Sequence, residues 1–369
     1  MRLMKVLHIT YDMRIGGTEM VIKNIIEGNA EQGIDMSIYC IEAPLGPWGE
    51  ELRKAGVVIT TTSRKPGFDV SLIRALREHI KKHKIDIVHC HQYTPWVYGA
   101  LASAFTKTKV IFTEHGRFYP DSSSWKRKYI NPLLLALTAR VTAISKATKI
   151  ALSKFEYIPE EHVDVVYNGI APLKIAATKE ITRRELDIPN NAFILGTIAR
   201  LDPIKNQKLM IKAFANVAVK VKHIYLVIVG DGDLRKELES LTKQLNIVER
   251  VRFTGYKSNP TKYLELMDIF LLPSLSEGTS MTLLEAMSIG KPCIVTNAGG
   301  NPEIVTHLET GLVTENDNEE ELTAAIESLI DSPVIANYSK NALVRFNTQF
   351  QVNRMMEQYI NLYKSEIGH

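Results

Sequence analysis

No stretch of the 369-residue sequence stays apolar for the length of a bilayer crossing, which leaves only peripheral contact with a membrane. Cysteine is scarce. Cys40, Cys90 and Cys293 sit inside apolar, strand-like runs with no paired spacing, which argues against a disulfide framework and suits a reduced, cytoplasmic protein. Charge of one sign is also lacking: the net charge of +4 is too small to point to nucleic acid, yet it leaves room for an anionic ligand. Internal repeats and low-complexity tracts are absent. The opening MRLMKVLHITYDM has a basic start but no sustained apolar core, because His8, Thr10 and Asp12 interrupt it. It is expected to be a first strand rather than a signal peptide.

What is present is apolar residue content of 45% in a chain too long for one typical core, so two domains are expected. Strand-length apolar runs alternate with helical patterns throughout, the signature of α/β layering around parallel sheets. In the first half, strands are expected at 6–11, 36–41, 85–91, 110–113, 141–145 and 163–166. The second half offers 193–199, 225–229, 251–254, 269–273 and 293–296, each followed by a helical pattern. Between them, residues 168–190 mix charge with Gly169, Pro172 and Pro189, the best place for a boundary. The fold class is therefore α/β, with two Rossmann-like, doubly wound parallel-sheet domains facing across a cleft. The expected domains are 1–170, 171–348 and a final helix, 349–369, whose spacing of Phe350, Met355, Met356, Tyr359, Ile360 and Tyr363 predicts that it packs back on a domain.

Several constellations fall where such sheets bind ligands, beyond the carboxyl ends of the strands. Glu277 and Glu285 flank a helix start for which Thr279 and Ser280 are good caps, and which Gly290-Lys291-Pro292 ends. The first-turn N–H groups of that helix would face a diphosphate. Arg200 and Lys205 straddle a strand end and a helix start, where two cations can bracket the same group. Gly16-Gly17 forms a tight turn after the first strand and Gly230-Asp231-Gly232 another after Val229, although the dinucleotide fingerprint is missing. His89 and His91 share one strand face with Cys90 on the other, so zinc is poorly supported. His115 closes the next strand and is expected to bond a substrate hydroxyl or carbonyl.

Taken together, these residues resemble the retaining glycosyltransferases of the GT-B fold, specifically glycosyltransferase family 4. The resemblance is carried by Gly16-Gly17-Thr18-Glu19, His115-Gly116, Val166-Tyr167-Asn168-Gly169-Ile170, Arg200 with Lys205, Gly230-Asp231-Gly232, Glu277-Gly278 through Leu284-Glu285-Ala286, Gly299-Gly300-Asn301-Pro302-Glu303 and Gly311-Leu312. These run in the family's order over nearly the whole chain. The resemblance implies an acceptor-binding first domain, a donor-binding second domain and a last helix that crosses back onto the first. It implies that Arg200 and Lys205 bind the donor diphosphate, that Glu285 holds the ribose, that Glu277 lies by the donor sugar or phosphates and that His115 lies near the sugar hydroxyls. Gly16, Gly17, Gly230, Gly278, Thr279, Ser280, Met281 and Thr282 complete the expected donor contacts. Thr18, His91 and Arg117 are the expected acceptor contacts. Gly278-Thr279-Ser280-Met281 stands where many members have Gly-Phe-Gly, so these positions are expected to help choose the sugar. Ala171 follows Ile170 where an Asp is common, and no acid role transfers there.

The expected reaction is transfer of a sugar from a nucleoside diphosphate, UDP rather than GDP, to a glycan or lipid-linked acceptor in surface polysaccharide synthesis. It needs no cofactor and no metal, and the leaving phosphate takes the acceptor's proton. Residues 105–154 carry ten Lys/Arg against two acids, including Trp125-Lys126-Arg127-Lys128-Tyr129, a mix compatible with anionic lipid at the inner face of a membrane. The competing readings are a GT-B sugar-nucleotide epimerase or hydrolase and a non-catalytic nucleotide-sugar-binding module.

Overall fold

The computed structural model describes residues 3–29, 33–116, 122–176 and 179–368. The chain forms two compact units. One comprises Met1–Gly169 with Val352–His369, the other Ile170–Gln351.

The first unit is built on a seven-stranded parallel sheet. Its strands are β1 (Met4–Thr10), β2 (Ile34–Cys40), β3 (Val58–Thr61), β4 (Ile87–His91), β5 (Lys109–Glu114), β6 (Arg140–Ala143) and β7 (Val163–Val165), ordered β3-β2-β1-β4-β5-β6-β7. The direction of winding reverses between β1 and β4, which are hydrogen-bonded neighbours with His8 opposite His89. One sheet face is an ordinary apolar core of Leu7, Ile9, Val88, Cys90, Val110, Phe112 and Val141, with Trp96 stacked on Phe112 at 4.3 Å between ring centroids. The opposite face is unusual at its centre. There His8, Thr10, His89, His91, Thr113 and Thr142 are all fully buried polar residues. The helix Val352–Ile367 covers part of them with Tyr359 and Tyr363, also fully buried.

The second unit has a six-stranded parallel sheet of β8 (Phe193–Ile198), β9 (Ile224–Val229), β10 (Val251–Gly255), β11 (Ile269–Leu272), β12 (Cys293–Thr296) and β13 (Gly311–Thr314), ordered β10-β9-β8-β11-β12-β13. β8, β9, β11 and β12 are almost wholly buried, as strands of a sheet covered on both sides must be. The winding reverses between β8 and β11. Among the described residues no helix is long and apolar enough to cross a membrane.

The expected strands are all present with ends shifted by up to two residues. β3, β13 and the short helix Pro47–Lys54 were not anticipated. The final helical stretch is two helices, Val334–Gln349 and Val352–Ile367, so the break falls just after the expected start at 349.

Candidate functional site

In the second unit the candidate residues gather at the switch point of the sheet, where open α/β folds leave a crevice between adjacent strand ends. The segment after β8 carries Arg200, Asp202 and Lys205; the segment after β11 carries Ser274 and Glu277. Lys205 Nζ lies 2.6 Å from Glu277 Oε1, and the Ser274 hydroxyl donates to the same oxygen at 2.6 Å. The Glu277 side chain is 8% exposed and that of Lys205 24%, so this is a largely buried ion pair with a hydroxyl completing one carboxylate oxygen. Lysine has three donors, and one is spent here.

Asp202 organises the cations. One of its carboxylate oxygens accepts the backbone N–H groups of Ile204 and Lys205 at 3.0 and 3.1 Å, fixing the turn Pro203–Lys205. Its other oxygen takes Arg200 Nε at 2.6 Å, while the Arg200 side chain remains 75% exposed. That pairing uses Nε and leaves the terminal guanidinium nitrogens without a partner among the described residues.

The helix Met281–Ser288 begins three residues later than directly after Glu277, because Ser280 is its cap: Ser280 Oγ accepts from Leu283 N at 3.4 Å. Thr279 and Ser280 are buried, while Glu277, Gly278, Met281 and Thr282 are half-buried. Glu285 lies just over one turn into the helix. Its carboxyl has no partner among the described residues, and burial raises it from its ordinary 4.5 to about 7. Close-packed glycines hold the loops together. A Cβ on Gly299 would come within 1.8 Å of the Glu277 carbonyl oxygen, and the Gly300 N–H donates to that oxygen at 3.1 Å. Gly230, with φ of +136°, sits against the Ala199 carbonyl in the same way, where a Cβ would lie at 2.0 Å.

In the first unit, Gly16 is the extended cap of the helix Gly17–Gly28, and Thr18 is buried in its first turn. At the ends of β1, β4 and β5 four histidines cluster. His115 Nε2 and His91 Nδ1 are 2.8 Å apart, and His91 Nε2 and His8 Nδ1 are 3.0 Å apart. His89 Nδ1 meets the Tyr363 hydroxyl and His89 Nε2 the Thr113 hydroxyl, both at 2.7 Å. Burial pushes His8 and His115 down to about 3 and His89 and His91 well below the ordinary range, so all four are neutral. Ring nitrogens of His8, His89 and His91 lie within 4.8 Å of one another, but both His89 nitrogens already bond hydroxyls, so the cluster is a hydrogen-bonded network and not a set of vacant metal ligands. Cys90 points to the apolar face. Arg117 lies outside the described residues.

Sequence reasoning missed Ser274, Asp202 as organiser, and His8, Thr113 and Tyr363. His8 was discoverable in principle: a doubly wound sheet pairs its first strand with the strand beyond the switch, which sets His8 beside His89.

Two α/β units with parallel sheets and loops of this kind at their switch points define the GT-B fold class. A Rickettsia africae glycosyltransferase structure superposes with a TM-score of 0.89 at 21% identity, covering 100% of this chain and 99% of the other. Anabaena HepE in complex with UDP superposes at 0.86 and 22% identity, covering 98% and 100%. These likenesses establish the fold. The profile for glycosyl transferases group 1 matches residues 178–346 and that for Glycosyltransferase Family 4 matches residues 15–172. The chain belongs to this family of glycosyltransferases. An Escherichia coli UDP-Gal:alpha-D-GlcNAc-diphosphoundecaprenol alpha-1,3-galactosyltransferase is 26% identical over 97% of this chain and 96% of its own length. The Bacillus anthracis N-acetyl-alpha-D-glucosaminyl L-malate synthase is 29% identical over 81% and 79%. Neither is an epimerase or a binding module.

Proposed function

We propose that the chain transfers a sugar from a UDP-sugar to a hydroxyl of a lipid-linked glycan during surface polysaccharide synthesis, with retention of configuration and without a metal. The observation that carries this reading is the Lys205–Glu277 pair at the switch point, with an unpartnered Glu285 carboxyl in the helix that follows. Lys205 keeps two donors for phosphate oxygens, and the terminal nitrogens of Arg200 can bind the same diphosphate bidentately. Glu285 suits a ribose, whose two hydroxyls donate to an ionised carboxylate. Glu277 Oε2 is left for a sugar hydroxyl, and Gly278, Thr279, Ser280 and Met281 form the adjoining wall. The Escherichia coli relative named for UDP-Gal and a diphosphoundecaprenol-linked acceptor, and the UDP complex of HepE, support the choice of base and acceptor class.

In the transfer, the bond from the anomeric carbon to the phosphate oxygen breaks as the acceptor oxygen bonds to that carbon on the same face. The acceptor's proton passes to the departing phosphate, whose charge Arg200, Lys205 and the helix start stabilise. The double variant Arg200→Ala/Lys205→Ala should lose at least about 100-fold in turnover while still unfolding in a single cooperative transition. Near-full turnover in that variant would sink the reading, and an inverted anomer in the product would overturn retention.

The first unit carries a surface suited to such an acceptor. Trp125, Tyr129, Ile130 and Leu133 are 70%, 66%, 45% and 70% exposed beside Lys126 and Lys128. Arg127 is not part of this surface, because it is paired to Glu156 at 2.5 Å and lies over the Tyr93 ring. Location on the cytoplasmic face of a membrane follows from this reading. Vesicles containing anionic lipid should bind the protein at low salt and release it as salt rises, and Trp125→Ala/Leu133→Ala should weaken binding about 10-fold or more. Absence of vesicle binding by the parent removes the membrane part of the proposal.

A further inference from the structure

The histidines of the first unit form a line with two loose ends. His115, half-buried at the end of β5, leads through His91 to His8 in β1, and the outermost nitrogens of that line, His115 Nδ1 and His8 Nε2, are buried without a partner among the described residues. A neutral imidazole carries one N–H and one bare nitrogen, so each link has a donor and an acceptor and the line can point only two ways. In one, every ring is protonated at Nε2, and the line ends on a His8 N–H with nothing to donate to. In the other, every ring is protonated at Nδ1: His8 donates to His91, His91 donates to His115, and His115 Nδ1 presents its N–H.

One physical argument chooses between them. An N–H at either end lacks an acceptor within the described residues, and such a group is costly when buried. But His8 is fully buried whereas His115 is only half-buried, so an arriving substrate can supply the missing acceptor at His115 and not at His8. The line is also no exit for protons. A proton entering at His115 Nδ1 would have to leave at His8 Nε2, which has no partner among the described residues, or else create an imidazolium in a fully buried position. The arrangement is thus a lock and not a wire.

We infer that His8 and His91 are positioning residues that hold His115 in its Nδ1–H tautomer, so that a substrate oxygen reaching His115 meets a neutral hydrogen-bond donor. The inference rests on the reading of His115 as a substrate-contacting residue. His89 takes no part in the line, because Tyr363 and Thr113 satisfy both its nitrogens. The arrangement gives a reason for imidazoles at positions 8 and 91 on the buried polar face of the sheet: a single histidine at 115 would be free to take either tautomer and to rotate.

The test is ring-nitrogen NMR on the full-length chain labelled with 15N-histidine. The parent should show His8, His91 and His115 all protonated at Nδ1, against the preference of free histidine for Nε2. His8→Phe removes the first donor without touching substrate, so the His115 signals should shift toward the Nε2–H form, with kcat falling roughly 10-fold and donor KM little changed. A parent spectrum with His115 protonated at Nε2 overturns the lock, and it decides the matter even if His8→Phe fails to fold. His115 signals unchanged in a folded His8→Phe protein overturn it as well. Failure of the underlying reading is separable: His115→Ala at full turnover would show that His115 does not serve the reaction, whatever tautomer the spectrum shows.

Discussion

Glu285 illustrates how a single side chain can be costly to the fold and useful to the site. Burial holds its carboxyl near 7, against about 4.5 in the unfolded chain, and nothing described compensates the charge. The sign follows directly. Because the folded-state value is raised, the associated stability is fully present below about pH 4.5 and is lost as pH rises through about 7. Glu285→Gln should therefore melt higher than the parent at pH 8, by about 1–2 kcal/mol, with most of that gain gone at pH 5. The same variant should bind UDP at least about 10-fold more weakly, because the ribose loses an ionised acceptor. Calorimetric melting at the two pH values, with UDP titration at pH 8, checks both halves.

Lys205 presents the reverse case. Its partner Glu277 is nearly buried, so an alanine at 205 leaves that carboxylate with only the Ser274 hydroxyl. Lys205→Ala should lose about 1–3 kcal/mol of stability as well as turnover, whereas Lys205→Met, which preserves the stem's packing but still strips the charge, should lose turnover with a similar destabilisation. If both variants melt like the parent, Glu277 does not depend on the pair.

At the scale of elements, the loops owe their close approach to glycine. Gly299 sits at φ of +53° with its missing Cβ directed at the Glu277 carbonyl, so Gly299→Ala must push the β11 and β12 loops apart. The expected loss is at least about 2 kcal/mol, with turnover reduced more than stability because Glu277 moves with its backbone. A thermal melt paired with steady-state kinetics would show it; parental values of both would mean that the two loops can separate freely.

Elements also explain what could be read beforehand. Strands buried on both faces appear as continuous apolar runs, so β8, β9, β11 and β12 were legible from composition alone. β3 was not, since it is a four-residue edge strand whose Val58 is 60% exposed. β13 is equally short and opens on Gly311, and glycine weakens a strand pattern. The cap of the helix Met281–Ser288 was legible because serine at that position has a mechanism, although its start four residues beyond Glu277 required the loop's geometry. His8 was hidden for a subtler reason: a polar residue alternating with Leu7 and Ile9 reads as the wet side of a half-exposed strand, and only the helix Val352–Ile367 reveals that this side is sealed.

At the scale of the whole molecule, the order of the chain makes the two units unequal. The second unit runs without interruption from Ile170 to Gln351 and holds its own core. Its two ends are already joined, since Ile170 N donates to Phe350 O at 3.0 Å and Ile170 bridges Gln351. The first unit is incomplete at Gly169 and is finished only when residues from Val352 onward return to it. That return buries Met355, Met356, Tyr359, Ile360 and Tyr363, and it supplies the hydroxyl on His89 Nδ1. Burying five such side chains is worth on the order of 10 kcal/mol before the entropy of ordering the helix, comparable with the entire stability of a domain. Residues 170–351 expressed alone should accordingly fold cooperatively and bind UDP without transferring sugar. Residues 1–169 alone should not fold, and joining them through a flexible linker to residues 352–369 should restore a cooperative melt. Circular dichroism and thermal melts of the three proteins distinguish the outcomes. A cooperatively folded 1–169 would show that the polar face of the first sheet tolerates water, and with it that the tyrosines of the last helix are a cover and not a foundation.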